Sequence, residues 1–217
     1  MADAREIDTP EVLSPPATVP ADALPTPAQR AHPLATDIAL VSSFAAFIAV
    51  CAIVPSIPTG ANVPITLQTF AVVLAGLVLG WRRGALAVLL YLAVGFAGVP
   101  VFADGRSGLG VLAGASVGYL LAFPFAAALA GLIAGQTRNA QGSARFLVLF
   151  ASGVTASALT IHPAGIAGLM VRLDLTFPQA FAADAIFVPG DIVKNLAAAA
   201  VALAVFSAYP DLLRHRR

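Results

Sequence analysis

Asp191 and Lys194 lie one helical turn apart in Val188-Pro189-Gly190-Asp191-Ile192-Val193-Lys194-Asn195, a segment that leads into an apolar run reaching Phe206. Lys194 is the only lysine among the 12 basic residues of the chain. The run is about as long as a membrane span. An ionisable group placed in hydrocarbon costs on the order of 2.5–3.5 kcal/mol even on mild scales, which makes such residues functional candidates. Following Pro189-Gly190, Asp191 is expected to open a helix, where free backbone N–H groups and the positive dipole end favour the carboxylate. Lys194 adds a three-donor cation on the same face. An acceptor beside a donor suits a urea, an amide or another group that carries both N–H and C=O. The plainer account is a pair that neutralises itself across an i,i+3 spacing.

A second polar centre is Arg106 in Phe102-Ala103-Asp104-Gly105-Arg106-Ser107-Gly108-Leu109-Gly110. The planar guanidinium fork suits bidentate binding of a carboxylate; a local Asp104–Arg106 pair in a solvated loop is the competing account. Asn62, Thr66, Gln68 and Thr69 cluster at the start of an apolar stretch, either to line a pocket or to serve helix contacts. Asn62 and Gln68 are taken as candidate ligand contacts. So is Tyr91, for which interface anchoring is the equal alternative, as it is for Tyr119. His162-Pro163 lies inside an apolar stretch with no carboxylate in a helix body to partner it, so a kink with a satisfied histidine is expected. No G-x-x-x-x-G-K-[ST], HExxH or metal-ligand spacing occurs, which argues against a nucleotide site, a catalytic set and a bound metal or other cofactor. Cys51 alone allows no internal disulfide.

The elements that must position these residues follow from composition. With 59% hydrophobic and 11% charged residues, and a mean hydropathy of +0.89, the chain departs from soluble domains, of which about a quarter is charged. Its net charge of +1 offers no basic patch for nucleic acid. Six apolar stretches run at about 35–54, 65–80, 84–98, 112–135, 146–170 and 191–208. The expected fold is all-α, an integral membrane bundle of six transmembrane helices over residues 34–210. A proline-rich, disordered cytoplasmic tail (1–33) precedes it and a basic cytoplasmic tail (211–217) follows. With the N-terminus inside, nine arginines fall on the cytoplasmic side and only Arg106 and Arg172 on the other, so both termini are expected in the cytoplasm. The outer connections, about 55–64, 99–111 and 171–190, then form a polar, loop-built mouth suited to capturing a solute from outside. Small residues recur at fourfold spacing, as in Gly76/Gly80/Gly84, and in the first span as Ala35/Ala39 and Ala45/Ala49. Such flanks pack helices within the bundle or dock another membrane subunit.

Val63-Pro64-Ile65-Thr66-Leu67-Gln68-Thr69, Gly84-Ala85-Leu86-Ala87, Leu90-Tyr91-Leu92, Gly98-Val99-Pro100-Val101-Phe102 and Pro189-Gly190-Asp191-Ile192-Val193-Lys194, in this order and spacing, resemble the BioY family, the biotin-specific substrate-binding (S) component of energy-coupling factor (ECF) transporters. The resemblance runs from about residue 35 to 208. It implies a six-helix bundle in the cytoplasmic membrane that binds biotin as cargo in a pocket covered by outer loops. It also implies partners: a transmembrane coupling subunit and two ATP-binding cassette ATPases that do the hydrolysis, so this chain is not an enzyme. The family's ligand-binding acid and amine fall on Asp191 and Lys194, its loop arginine on Arg106, and its Ala-x-x-x-Ala partner surface on Ala45/Ala49 or Ala35/Ala39. Where many relatives have a run of glycines, this chain has Asp104-Gly105-Arg106-Ser107. Arg106 suits biotin's carboxylate and the acid–amine pair its ureido ring; the reverse assignment stays open, as does homo-oligomerisation. The competing function is an ion-coupled secondary transporter of a small carboxylate-containing solute. That class predicts an inverted repeat and midplane charges, neither of which the sequence displays.

Overall fold

The computed structural model describes residues 33–54, 56–59, 63–136 and 140–210; the two expected tails, apart from Pro33, and Asn62 lie outside them. The described residues are helical apart from connections and one isolated antiparallel bridge between Ile57 and Ile65. The helices are α1 (Pro33–Ile53), α2 (Gln68–Leu79), α3 (Trp81–Phe96), α4 (Val117–Ala134), α5 (Gly142–Ala156), α6 (His162–Leu173), α7 (Phe177–Ala185) and α8 (Val188–Ala208). Each of the six apolar stretches read from the sequence contains a helix, with the fifth divided between α5 and α6. By length and composition, α1, α4, the continuous α5–α6 rod and α8 can cross a membrane, while α2 is a shorter apolar helix.

The bundle is organised around α2. Ten of its 12 residues, from Gln68 and then Ala71 to Leu79, are buried, as expected of a helix that is apolar on all sides. α1, α3, α4, α5 and α8 pack around it. Glycines set the closest approaches: a Cβ at Gly76 would overlap the backbone of Ala127 on α4, and one at Gly118 would overlap that of Ala164 on α6. Small residues thus bring α4 against both halves of the bundle, as packing of membrane helices favours. Outward-facing apolar side chains such as Ile38, Phe125, Leu147, Leu159 and Val193 are exposed, a distribution suited to hydrocarbon as solvent.

Two departures from the expected layout bear on the site. The stretch at 171–190, read as a loop, contains α7, a nine-residue helix. It is too short for a periodic signal, and Pro178 in its first turn reads from sequence as a breaker although proline fits that position. Its start is fixed by Gln179, whose Oε1 accepts the Thr176 N–H at 2.9 Å. The second departure is a π-helical turn, Ser157–Ile161, between α5 and α6, directly before His162-Pro163. Proline lacks an N–H and its ring crowds the carbonyl four residues back. A residue added to the turn relieves that conflict and changes which side chains face inward.

Candidate ligand-binding site

A cavity opens at the end of the bundle where α2 and α8 begin. It holds about 680 Å³ of space between atoms when the open solvent at its mouth is included. Its walls are mainly apolar and include the rings of Phe102, Tyr119, Phe123 and Phe187. Asp191, Lys194, Thr69, Gln68 and Arg106 all line it.

Lys194 Nζ donates to Asp191 Oδ1 at 3.0 Å and to Thr69 Oγ1 at 3.1 Å. The Thr69 hydroxyl in turn donates to Asp191 Oδ1 at 2.9 Å. Both charged side chains are largely withdrawn from solvent, with 13% of Lys194 and 8% of Asp191 accessible. The pair therefore exists as expected, but its setting differs from the sequence reading in one respect. α8 begins at Val188, so Asp191 sits within the first turn and its own N–H is bonded to the Phe187 carbonyl. Side chains, rather than free backbone N–H groups, complete this carboxylate. Two of the three ammonium hydrogens are used, which leaves one for a ligand acceptor, and Asp191 Oδ2 remains for a ligand donor.

Gln68 stands in the first turn of α2, beside that cluster. Its Nε2 donates to the Tyr91 hydroxyl at 2.8 Å, and that hydroxyl donates to the Val101 carbonyl at 3.2 Å. With its proton committed to a carbonyl, Tyr91 presents a lone pair, and only the amide NH2 of Gln68 can meet it. Gln68 Oε1 is thereby kept as an acceptor for the cavity. Tyr91 itself is buried behind Gln68, is not part of the wall and orients the Gln68 amide. Asn62 lies outside the described residues.

Arg106 is brought in by the long connection between α3 and α4. That connection turns through left-handed backbone at Gly98, Asp104, Gly105 and Gly108 and is anchored by Phe102. The Phe102 ring is buried, lies edge-on to Tyr91 with centroids 5.5 Å apart, and fills the space a Cβ at Gly95 would need. Asp104 accepts the Ser56 hydroxyl at 2.5 Å, which ties this connection to the one between α1 and α2. Among the described residues, no ion pair joins Asp104 to Arg106. Arg172, the other arginine on this side, donates to the Leu112 carbonyl at 2.8 Å and holds the end of α6 against the same connection.

Sequence reasoning missed a buried polar group behind Asp191. His162 Nδ1 lies 2.9 Å from Asp184 Oδ2 and its Nε2 lies 3.7 Å from Asp191 Oδ2. Asp184 also accepts the Tyr119 hydroxyl at 2.8 Å. The expectation that His162 has no carboxylate partner is thus corrected. The partner comes from α7, whose Ala180 and Asp184, four residues apart, form its buried face. That spacing was the available signal. Of the small-residue pairs on α1, Ala45 is buried inside the bundle and Ala49 partly so, while Ala35 and Ala39 are exposed. Among the described residues no His, Cys, Asp or Glu cluster is arranged to hold a metal.

Known proteins are similar to this chain in sequence and in architecture. The BioY family profile matches residues 22–211. The chain is 35% identical over 179 residues to a biotin transporter BioY of Rhizobium etli, covering 81% of this chain and 96% of the relative. It is 40% identical over 192 residues to a biotin transporter BioY of Rhodobacter capsulatus, covering 83% and 98%. A crystal structure of the S-component for biotin from an ECF-type ABC transporter superposes with a TM-score of 0.72 at 24% identity, over 80% of this chain and 92% of the other; at that identity the likeness speaks for the fold. With the family match spanning nearly all of the described helices, this membrane protein belongs to the BioY family.

Proposed function

We propose that this protein captures biotin from outside the cell and serves as the S component of an ECF-type transporter for its uptake. The observation that carries this reading is the Asp191–Lys194–Thr69 cluster sharing one apolar-walled cavity with Arg106. Biotin has a ureido ring with two N–H donors and one carbonyl, an apolar bicycle and chain, and a carboxylate. Asp191 and Gln68 Oε1 answer the donors, the free Lys194 hydrogen answers the carbonyl, aromatic rings enclose the body, and Arg106 meets the carboxylate. Such sites reject analogues that lack a hydrogen-bonding group, because their own buried atoms are then left unpaired.

In this reading six segments cross the cytoplasmic membrane with both termini inside, as the arginine distribution favours, and the cavity faces outward. The protein is a transport component without a cofactor. ATP hydrolysis belongs to two partner ATPases joined through a transmembrane coupling subunit, for which Ala35 and Ala39 form the exposed pair on α1. Isothermal titration of the purified protein with biotin and a panel of other vitamins tests the proposal: saturable, selective binding of biotin is expected, and no binding of biotin would overturn it.

A further inference from the structure

His162 is neither a wall of the cavity nor a simple packing residue. Three features of the fold converge to aim it. The π-helical turn and Pro163 set the direction in which it leaves its helix. Gly165, three residues on, leaves room for the Tyr119 ring, which a Cβ there would strike. Tyr119 and His162 then grip the two oxygens of Asp184, at 2.8 and 2.9 Å. Asp184 is 3% exposed, and a carboxylate so buried requires donors on its oxygens. Nδ1 must therefore carry its hydrogen towards Asp184, and the ring has no freedom left to turn. Its second nitrogen is fixed on Asp191 Oδ2, 3.7 Å away, the oxygen that Lys194 and Thr69 leave unbonded.

We propose that His162, locked by Asp184 and Tyr119, is a positioning residue of the ligand site that holds Asp191 Oδ2 in place to receive a donor hydrogen from the ligand. This rests on the biotin-binding reading above. At 3.7 Å its contact with Asp191 is electrostatic and requires a hydrogen on Nε2 as well as on Nδ1, the imidazolium form; preorganised sites depend on such supporting groups behind the contacting ones. α7 thereby acquires a role in recognition: it delivers Asp184, and through His162 it is coupled to the acid of α8.

Two substitutions separate positioning from a purely structural tie. Asparagine places its amide nitrogen near the ring Nδ1, and glutamine places its own near Nε2. Full-length protein in lipid nanodiscs is titrated with biotin as wild type, His162→Asn and His162→Gln. His162→Asn, which keeps the donor to Asp184, should bind about tenfold more weakly (roughly 1.4 kcal/mol). His162→Gln, which keeps the donor to Asp191, should stay within about threefold of wild type by the same conversion. Wild-type affinity in a folded His162→Asn, or equal losses in both variants, would overturn the assignment while leaving biotin binding intact. Wild-type protein that binds no biotin would overturn the functional reading and this inference together. Should neither variant fold, wild-type protein with ¹⁵N-labelled histidine decides. His32 and His215 are the two other histidines, and each is assigned by its own substitution. Biotin should move the His162 Nε2 resonance and leave Nδ1 nearly in place, and an unmoved Nε2 would sink the proposal.

Discussion

Asp191 and Lys194 stand one turn apart on a single helix and share Thr69 of a second, whereas Arg106 stands in a connection held by the buried Phe102 ring and a few hydrogen bonds. The side chains of the helix-borne end are held by hydrogen bonds to one another, so little side-chain freedom remains to be lost on binding. The loop-borne end takes its shape from left-handed turns, one aromatic plug and the Ser56–Asp104 bond. Connections of this kind open locally at low free-energy cost, and this one lines the cavity through Phe102, Ala103, Asp104 and Arg106. One end is built for discrimination and the other for access.

If the loop-borne end depends on Phe102, its removal should give the largest effect. Phe102→Ala should destabilise the protein by about 3–5 kcal/mol, as for other buried Phe→Ala changes, and weaken biotin binding at least as much as removal of Arg106. Thermal unfolding and titration check both. A variant of unchanged melting temperature would show that the connection is held by something other than its plug. At the helix-borne end, Lys194→Ala leaves Asp191 without its cation. Hydrogen bonds to charged groups contribute about 1.5–3 kcal/mol, so affinity for biotin should fall roughly ten- to hundredfold. A biotin amide should suffer equally, because the loss concerns the ring. Arg106→Ala should differ in kind: about tenfold for biotin and little for the amide, which erases the preference for the free acid. Equal losses for both ligands would count against a carboxylate role for Arg106, and opposite selectivity at the two ends would reverse the assignment of biotin's termini.

The same contrast explains what was legible in the sequence. Apolar run lengths placed a helix in every expected stretch, and the acid–amine pair was visible because both partners sit three positions apart on one element. Thr69 was not, since its link to Lys194 spans 125 residues and a threonine in a membrane helix has many packing roles. α7 was hidden by its brevity and by Pro178, and with it Asp184 and the partner of His162. Tyr91, singled out as a ligand contact or an interface anchor, stands buried behind Gln68, because periodicity reports which face of a helix is turned inward but not whether a side chain reaches the lumen or stops one layer behind it.

Tyr91→Phe carries the smallest predicted effect and sharpens the comparison furthest. The substitution keeps the ring that meets Phe102 edge-on and removes only the hydroxyl between Gln68 and the Val101 carbonyl. Without that lone pair the Gln68 amide has no reason to keep its NH2 turned away from the cavity, and the two flip states become nearly equivalent. Loss of one neutral hydrogen bond is worth about 0.5–1.5 kcal/mol, which corresponds to a two- to tenfold weaker affinity for biotin. The loss should be shared by the amide, since Gln68 serves the ring end. A biotin analogue whose ureido nitrogen facing Gln68 is methylated should lose less affinity on the same substitution, because it has no N–H for Oε1 to accept. If Tyr91→Phe instead weakened only the free acid, its effect would be passing through Phe102 to Arg106, and the two ends of the cavity would be one mechanical unit instead of two.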